Sequence, residues 1–142
     1  MPGETVVFDA CAVIAMLRGE PGGDRTAHLL NEPSRRCLIH VVNLCEIWYD
    51  ALRRDPKEEA GDLETLLRGS GFEIYPMIPS PMIPSSVLWE SAGRLKATRR
   101  LSLADCFALA LTLHERGTLV TTDHHEFDPI AAAGLCPIQF IR

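Results

Sequence analysis

The sequence predicts an α/β fold: a three-layer α/β/α sandwich around a central, mainly parallel five-stranded sheet, built by one domain over residues 1–142. Three observations lead there. Short β-branched and aromatic runs alternate with longer segments of helical pattern, which implies parallel strands joined by crossover helices. The chain has 142 residues, a natural size for one domain. Apolar residues make up 46%, enough to bury a core without disulfide or metal staples.

Residues 5–8 (Thr-Val-Val-Phe) form a buried first strand. Residues 10–18 come next as an apolar helix, broken by Gly19-Glu20-Pro21-Gly22-Gly23. Residues 24–31 read as a short helix closed by Pro33, and 36–40 as the second strand. Residues 43–54 place Leu44, Ile47, Trp48 and Ala51 on one helical face. Pro56 opens a further helix that runs to about Arg68 and stops at Gly69. Residues 72–75 form the third strand.

A tandem repeat comes after it, Pro76-Met77-Ile78-Pro79-Ser80 and then Pro81-Met82-Ile83-Pro84-Ser85. Its four prolines forbid a helix and favour an extended connector. A short insertion in a loop costs little, so a neutral duplication is preferred to a proline-rich ligand. Residues 86–97 are helical. Residues 103–116 make a nearly all-apolar helix, expected to be covered on most sides. The fourth strand is 118–121, residues 124–133 are irregular to helical, and 136–141 form the fifth strand.

The net charge of −5 argues against a generally basic nucleic-acid binder. It leaves room for a nucleic-acid substrate, because affinity depends on where basic residues lie. Nearly all the positive charge is arginine, with pairs at Arg35-Arg36, Arg53-Arg54 and Arg99-Arg100. Such pairs suit phosphate contacts or solvated element ends. The five cysteines, Cys11, Cys37, Cys45, Cys106 and Cys136, contain no C-x-x-C pattern. That disfavours a disulfide framework or zinc ribbon and fits a reducing cytoplasm. No apolar run is long enough to span a bilayer, so a soluble, cytoplasmic protein is expected.

Four stretches each deliver one carboxylate to a strand end or helix start: Asp9, Glu46, Asp105 and Asp123. In a parallel sheet such positions converge outside the carboxyl ends of the strands. Clustered carboxylates repel unless a hard cation lies between them, and oxygen-only ligation suits Mg²⁺ or Mn²⁺. Each acid also has an ordinary structural role. Asp9 and Asp123 stand where helix caps stand. Asn43-Leu-Cys-Glu46 and Ser102-Leu-Ala-Asp105 both match a capping box. The adjacent pair His124-His125 is poorly spaced for a metal and reads as a rim feature.

The run Val-Val-Phe-Asp9-Ala-Cys-Ala-Val-Ile-Ala-Met-Leu-Arg-Gly-Glu20-Pro-Gly resembles the start of a PIN domain of the VapC toxin type. Val-Asn-Leu-Cys-Glu46-Ile, Leu-Ser-Leu-Ala-Asp105 and Leu-Val-Thr121-Thr-Asp123-His-His-Glu-Phe127 resemble its later blocks, in order. The resemblance covers nearly the whole chain. It implies a metal-dependent ribonuclease acting on single-stranded RNA, usually a homodimer and commonly a toxin neutralised by an antitoxin. It assigns Asp9, Glu46, Asp105 and Asp123 as catalytic metal ligands for Mg²⁺ or Mn²⁺. Thr121 is then expected to orient a carboxylate or a water, and it is also a candidate substrate contact. Arg99 and Arg100, just before the helix carrying Asp105, are the candidate phosphate contacts. Met16, Leu17, Leu29, Trp48 and Tyr49 are candidates to line an antitoxin groove. The proline repeat departs from the family pattern, and Glu126 and Asp128 are at most auxiliary acids. Two alternatives stand beside this reading: a receiver-like module with Asp9 as its regulatory acid, and a catalytically silent PIN fold kept for binding.

Overall fold

The computed structural model describes residues 3–77 and 86–142. The elements run β1 (Thr5–Phe8), α1 (Ala10–Arg18), α2 (Gly23–Leu30), β2 (Arg36–His40), α3 (Val41–Arg54), α4 (Ala60–Gly69), β3 (Phe72–Tyr75), α5 (Ser86–Thr98), α6 (Leu103–Glu115), β4 (Thr118–Thr121), α7 (His124–Ala133) and β5 (Ile138–Phe140). The strands form one sheet in the order β3-β2-β1-β4-β5, and every pairing is parallel. A receiver-like module would order its strands 2-1-3-4-5. The observed order overturns that alternative.

Alternation along the strands sorts the core into two layers. Val6, Phe8, Cys37, Ile39 and Phe72 face α1 to α4, packing with Val13, Ile47 and Leu67. Val7, Leu38 and Leu119 face the other layer, with Leu88, Leu109, Leu111 and Phe127 from α5, α6 and α7. The apolar helix α6 is buried from Ala104 to Thr112, as its composition predicts. Helix α2 crosses α1 closely because Gly23 has no side chain. A Cβ there would stand 2.3 Å from the Ala15 carbonyl oxygen.

Three element boundaries differ by two residues or more from those the sequence suggests, and one segment is more regular than expected. Helix α3 starts at Val41 because His40 caps it, its Nδ1 accepting from the Val42 amide at 3.0 Å. Helix α4 starts at Ala60 and not at Pro56. Residues 55–58 instead form a turn, with the Lys57 amide on Asp55 Oδ1 at 3.0 Å and the Glu58 amide on the Asp55 carbonyl. Residues 124–133 form a regular helix, capped by Asp123. Strand β5 is limited to Ile138–Phe140, after Pro137, which has no amide to donate. All but the first two residues of the proline repeat lie outside the described residues. No helix among the described residues is long and apolar enough to cross a membrane.

Candidate active site

The strand order reverses beside β1. Connections from β1 lead through β2 to β3 on one side, and the chain then returns to place β4 and β5 on the other. A crevice opens at such a switch point, outside the carboxyl ends of the two central strands. Asp9 comes directly after β1, and Thr121 to Asp123 stand at the end of β4. Helix α6 brings Asp105 in its first turn, and α3 brings Glu46.

Asp9 is fully buried. Its Oδ1 accepts from the Ala12 amide at 2.9 Å, which caps α1. Its Oδ2 accepts from the Thr121 hydroxyl. The same hydroxyl oxygen accepts from the Asp123 amide at 2.9 Å. Thr121 therefore clamps the ends of β1 and β4 together and holds the Asp9 carboxyl. It is not a substrate contact as the sequence suggested, because it is fully buried and offers no surface to a substrate.

Asp105, Asp123 and Glu126 each present an oxygen, all within 4.8 Å of one another. Asp9 and Glu46 adjoin this trio electrostatically. Asp9 feels the charges of Asp123 and Glu46, and Asp105 feels those of Asp9, Glu46 and Glu126. Burial is the main reason that Asp9 is raised from 3.8 to about 7 and Asp105 from 3.8 to about 8, with like charges adding to both. Glu46 is raised too, by burial and then by Glu126, against a 3.4 Å hydrogen bond from the Tyr49 hydroxyl that lowers it. None of these five acids takes part in an ion pair among the described residues. An all-oxygen acidic cluster with no basic partner is a donor set that fits Mg²⁺ or Mn²⁺.

The capping-box readings separate. Glu46 caps nothing, because α3 begins at Val41 and its cap is His40. Ser102 does cap α6, accepting from the Asp105 amide at 3.2 Å. The return bond comes from elsewhere: the Ser102 amide donates to Glu126 Oε2 at 3.1 Å. Glu126 thus holds α6 against α7 and joins the acid cluster, a larger part than an auxiliary acid. Its signal in the sequence is the spacing Asp123-x-x-Glu126, which puts both at the start of one helix. Asp128 is exposed and pairs with His124 at 2.8 Å.

Arg99 and Arg100 are exposed ahead of α6 and form no ion pair among the described residues. Arg35 and Arg36 are structural. Arg35 binds Glu4 and the Leu29 carbonyl, and Arg36 joins Glu73 on β3 to Glu115 on α6. His124 Nε2 meets the Arg142 carbonyl at 2.8 Å, and its ring stacks on Phe140, tying α7 to the chain end. Cys11 lies beside the acids, its thiol pushed up to about 12 by burial and then by their charges, so it stays protonated. Cys37 and Cys106 are buried filler. Sequence reasoning missed Asn43, one turn before Glu46. Its amide is fully buried with neither nitrogen nor oxygen partnered among the described residues, a place that calls for ordered water.

The five groove candidates do not share one groove. Leu29 is core, and Trp48 and Tyr49 face different depressions. Leu17 does line an apolar groove of about 300 Å³ between α1, α3 and α4, with Ile14, Ala51 and Leu66.

The profile of the PIN domain matches residues 6–132. The chain belongs to the PIN domain family. This PIN domain is similar in structure to a toxin–antitoxin complex from Klebsiella pneumoniae, at 18% identity and a TM-score of 0.69, covering 96% of this chain and 98% of that one. It is similar to DNA-bound VapBC from Salmonella typhimurium, at 15% identity and a TM-score of 0.66, covering 98% and 99%. It is also similar to a sarcin–ricin-loop-cleaving toxin of Mycobacterium tuberculosis, at 16% identity and a TM-score of 0.64, covering 91% and 95%. Among curated proteins no sequence matches. At these identities the structural likeness establishes the PIN fold.

Proposed function

We propose that this PIN domain, acting as one unit over residues 1–142, is a divalent-cation-dependent endoribonuclease of single-stranded RNA and the toxin of a toxin–antitoxin pair. The observation that carries this reading is the cluster of acids at the switch point of a PIN fold, with no basic side chain paired to it among the described residues. We assign Asp9, Glu46, Asp105 and Asp123, joined by Glu126, to hold Mg²⁺ or Mn²⁺. Such an ion supplies a water of lowered pKa and charge stabilisation at the phosphate oxygens.

The chain's own residues do the rest. Thr121 and the Ala12 amide fix Asp9, and the Ser102 amide fixes Glu126. Arg99 and Arg100, exposed just ahead of α6, are our assigned contacts to the phosphate backbone. No histidine is needed as a base. His40 is buried and lowered to about 4 by desolvation, and His124 is engaged by Asp128 and Arg142.

The similar proteins from Klebsiella and Salmonella are toxin–antitoxin complexes, which supports an antitoxin partner here. The α1–α3–α4 groove, apolar and rimmed by Arg18, Asp50 and Arg54, is its assigned seat. A cytoplasmic homodimer completes the proposal; sedimentation tests the dimer. The decisive assay incubates end-labelled single-stranded RNA with the protein. Cleavage should appear with Mn²⁺ or Mg²⁺, stop with chelator, and be lost in Asp9→Asn and Asp105→Asn. Cleavage undiminished in chelator would sink the mechanism, and an intact protein without cleavage would leave a silent PIN fold.

A further inference from the structure

A second groove, between α3 and α6, adjoins the acids and is not used by their chemistry. It is an open depression of about 550 Å³. Its walls are largely apolar, from Val42, Cys45, Tyr49, Met77 and Leu103, and Glu46 stands in the same wall. Tyr49 is 41% exposed and Leu103 53%, so both offer unpartnered apolar surface. The Tyr49 hydroxyl reaches Glu46 at 3.4 Å, which sets the ring beside the acid site. The Arg53 guanidinium lies 4.8 Å from the Tyr49 ring centroid and forms no ion pair among the described residues.

An occupant must therefore combine a flat apolar body with an anionic end. The body meets Tyr49 and Leu103; the anion meets Arg53, which lies over the Tyr49 ring, and the cation assigned to the acid cluster. A nucleotide has that shape and charge. Its base must be unstacked to enter, which a duplex forbids and a single strand allows. We propose that the α3–α6 groove is a base subsite for single-stranded RNA, in which the nucleotide beside the scissile phosphate lays its base against Tyr49 and Leu103. The proposal rests on the nuclease reading above and adds where the substrate lies. With few polar groups in the walls, the subsite selects for an unstacked base and reads its identity weakly.

The test is a binding cycle on the full chain, by fluorescence anisotropy, with Ca²⁺ replacing Mn²⁺ and RNA integrity checked on a gel. The ligands are an RNA octamer and a ribose-phosphate octamer of equal charge lacking bases. Tyr49→Ala should weaken RNA binding about five- to hundredfold, the size expected for one stacked base, and change abasic binding less than about twofold. Leu103→Ser should show the same base-dependent loss, and affinity across position 49 should rank Trp and Phe above Leu and Ala. Equal losses on both ligands would overturn the proposal, placing Tyr49 behind Glu46 instead. So would unaltered binding with a shift in molecular mass, which makes the groove an interface between copies. RNA cleavage in Mn²⁺ without base–Tyr49 coupling removes the subsite and leaves the nuclease standing. An intact protein that neither binds nor cleaves RNA removes both.

Discussion

The Ser102 amide donates to the Glu126 carboxylate at 3.1 Å across 24 residues of sequence. This bond completes the cap of α6 with an acid from α7. It leaves the Asp105 carboxylate, the local candidate for that task, free to join Asp123 and Glu126 within 4.8 Å. Glu126 has two roles that can be separated. Glu126→Gln keeps an acceptor oxygen and relieves repulsion with Asp105 and Glu46, so in chelator it should be at least as stable as the intact protein, yet lose roughly tenfold in Mn²⁺ affinity. Glu126→Ala relieves the same repulsion but should be about 1 kcal/mol less stable than Glu126→Gln, because the Ser102 amide loses its acceptor. Thermal unfolding and calorimetric Mn²⁺ titration measure the two. Unaltered Mn²⁺ affinity in Glu126→Gln would return Glu126 to capping alone.

Asp105→Asn discriminates between an acid site and a helix cap. A favourable charge at the α6 N-terminus would make the variant less stable by up to about 1 kcal/mol. Repulsion from Asp9, Glu46 and Glu126 works the other way. Neutralising Asp105 should therefore raise the unfolding temperature in chelator, more so at low salt where screening is weak. Added Mn²⁺ should reverse the ranking, since the intact site binds the ion only when folded. Destabilisation without metal, together with indifference of the intact protein to Mn²⁺, refutes the site.

The metal-free protein should lose stability as pH rises from about 5 to 8.5. Asp9 and Asp105 titrate near 7 and 8 when folded, against 3.8 as ordinary carboxylates. Across that window the folded state holds protons that the unfolded chain has released. Their contribution is full below the unfolded pKa and disappears as pH passes the folded values. Urea midpoints in chelator should fall along this range, and saturating Mn²⁺ should flatten the curve. A midpoint that climbs with pH in chelator contradicts the assignment.

Thr121→Val keeps shape and removes the hydroxyl that serves both Asp9 and Asp123. The loss should be about 2 kcal/mol, because a buried carboxylate and an amide each lose a partner. Asp9 should titrate still higher, since the Thr121 bond now lowers its pKa. Thr121→Ser should restore both properties. Unfolding curves and carboxyl-carbon NMR titration track them, and a Val variant equal to Ser would show that the hydroxyl is idle.

Four carboxylate positions, and the strands and helices that carry them, were legible in the chain because they depend on local pattern. Thr5–Phe8 is apolar after its first residue, Asp9 stands next, and a nine-residue helix needs a cap. Alternating strands and helices then place Asp9 and Asp123 at one sheet edge through the geometry of parallel crossovers. The start of α3 was less legible, since a histidine ring acting as a cap has no strong sequence signal.

Which acid caps and which is left free was decided only by tertiary structure. Asn43-x-x-Glu46 and Ser102-x-x-Asp105 carry the same local pattern, yet neither acid closes its own box. Glu126 reaches Ser102 because α6 and α7 pack on the same face of the sheet. A hydrogen bond between residues 24 apart is specified by that packing and not by any spacing along the chain. The raised pKa values of Asp9 and Asp105 have the same origin. Burial and the fields of distant acids exist only once four separate segments have been brought to one edge.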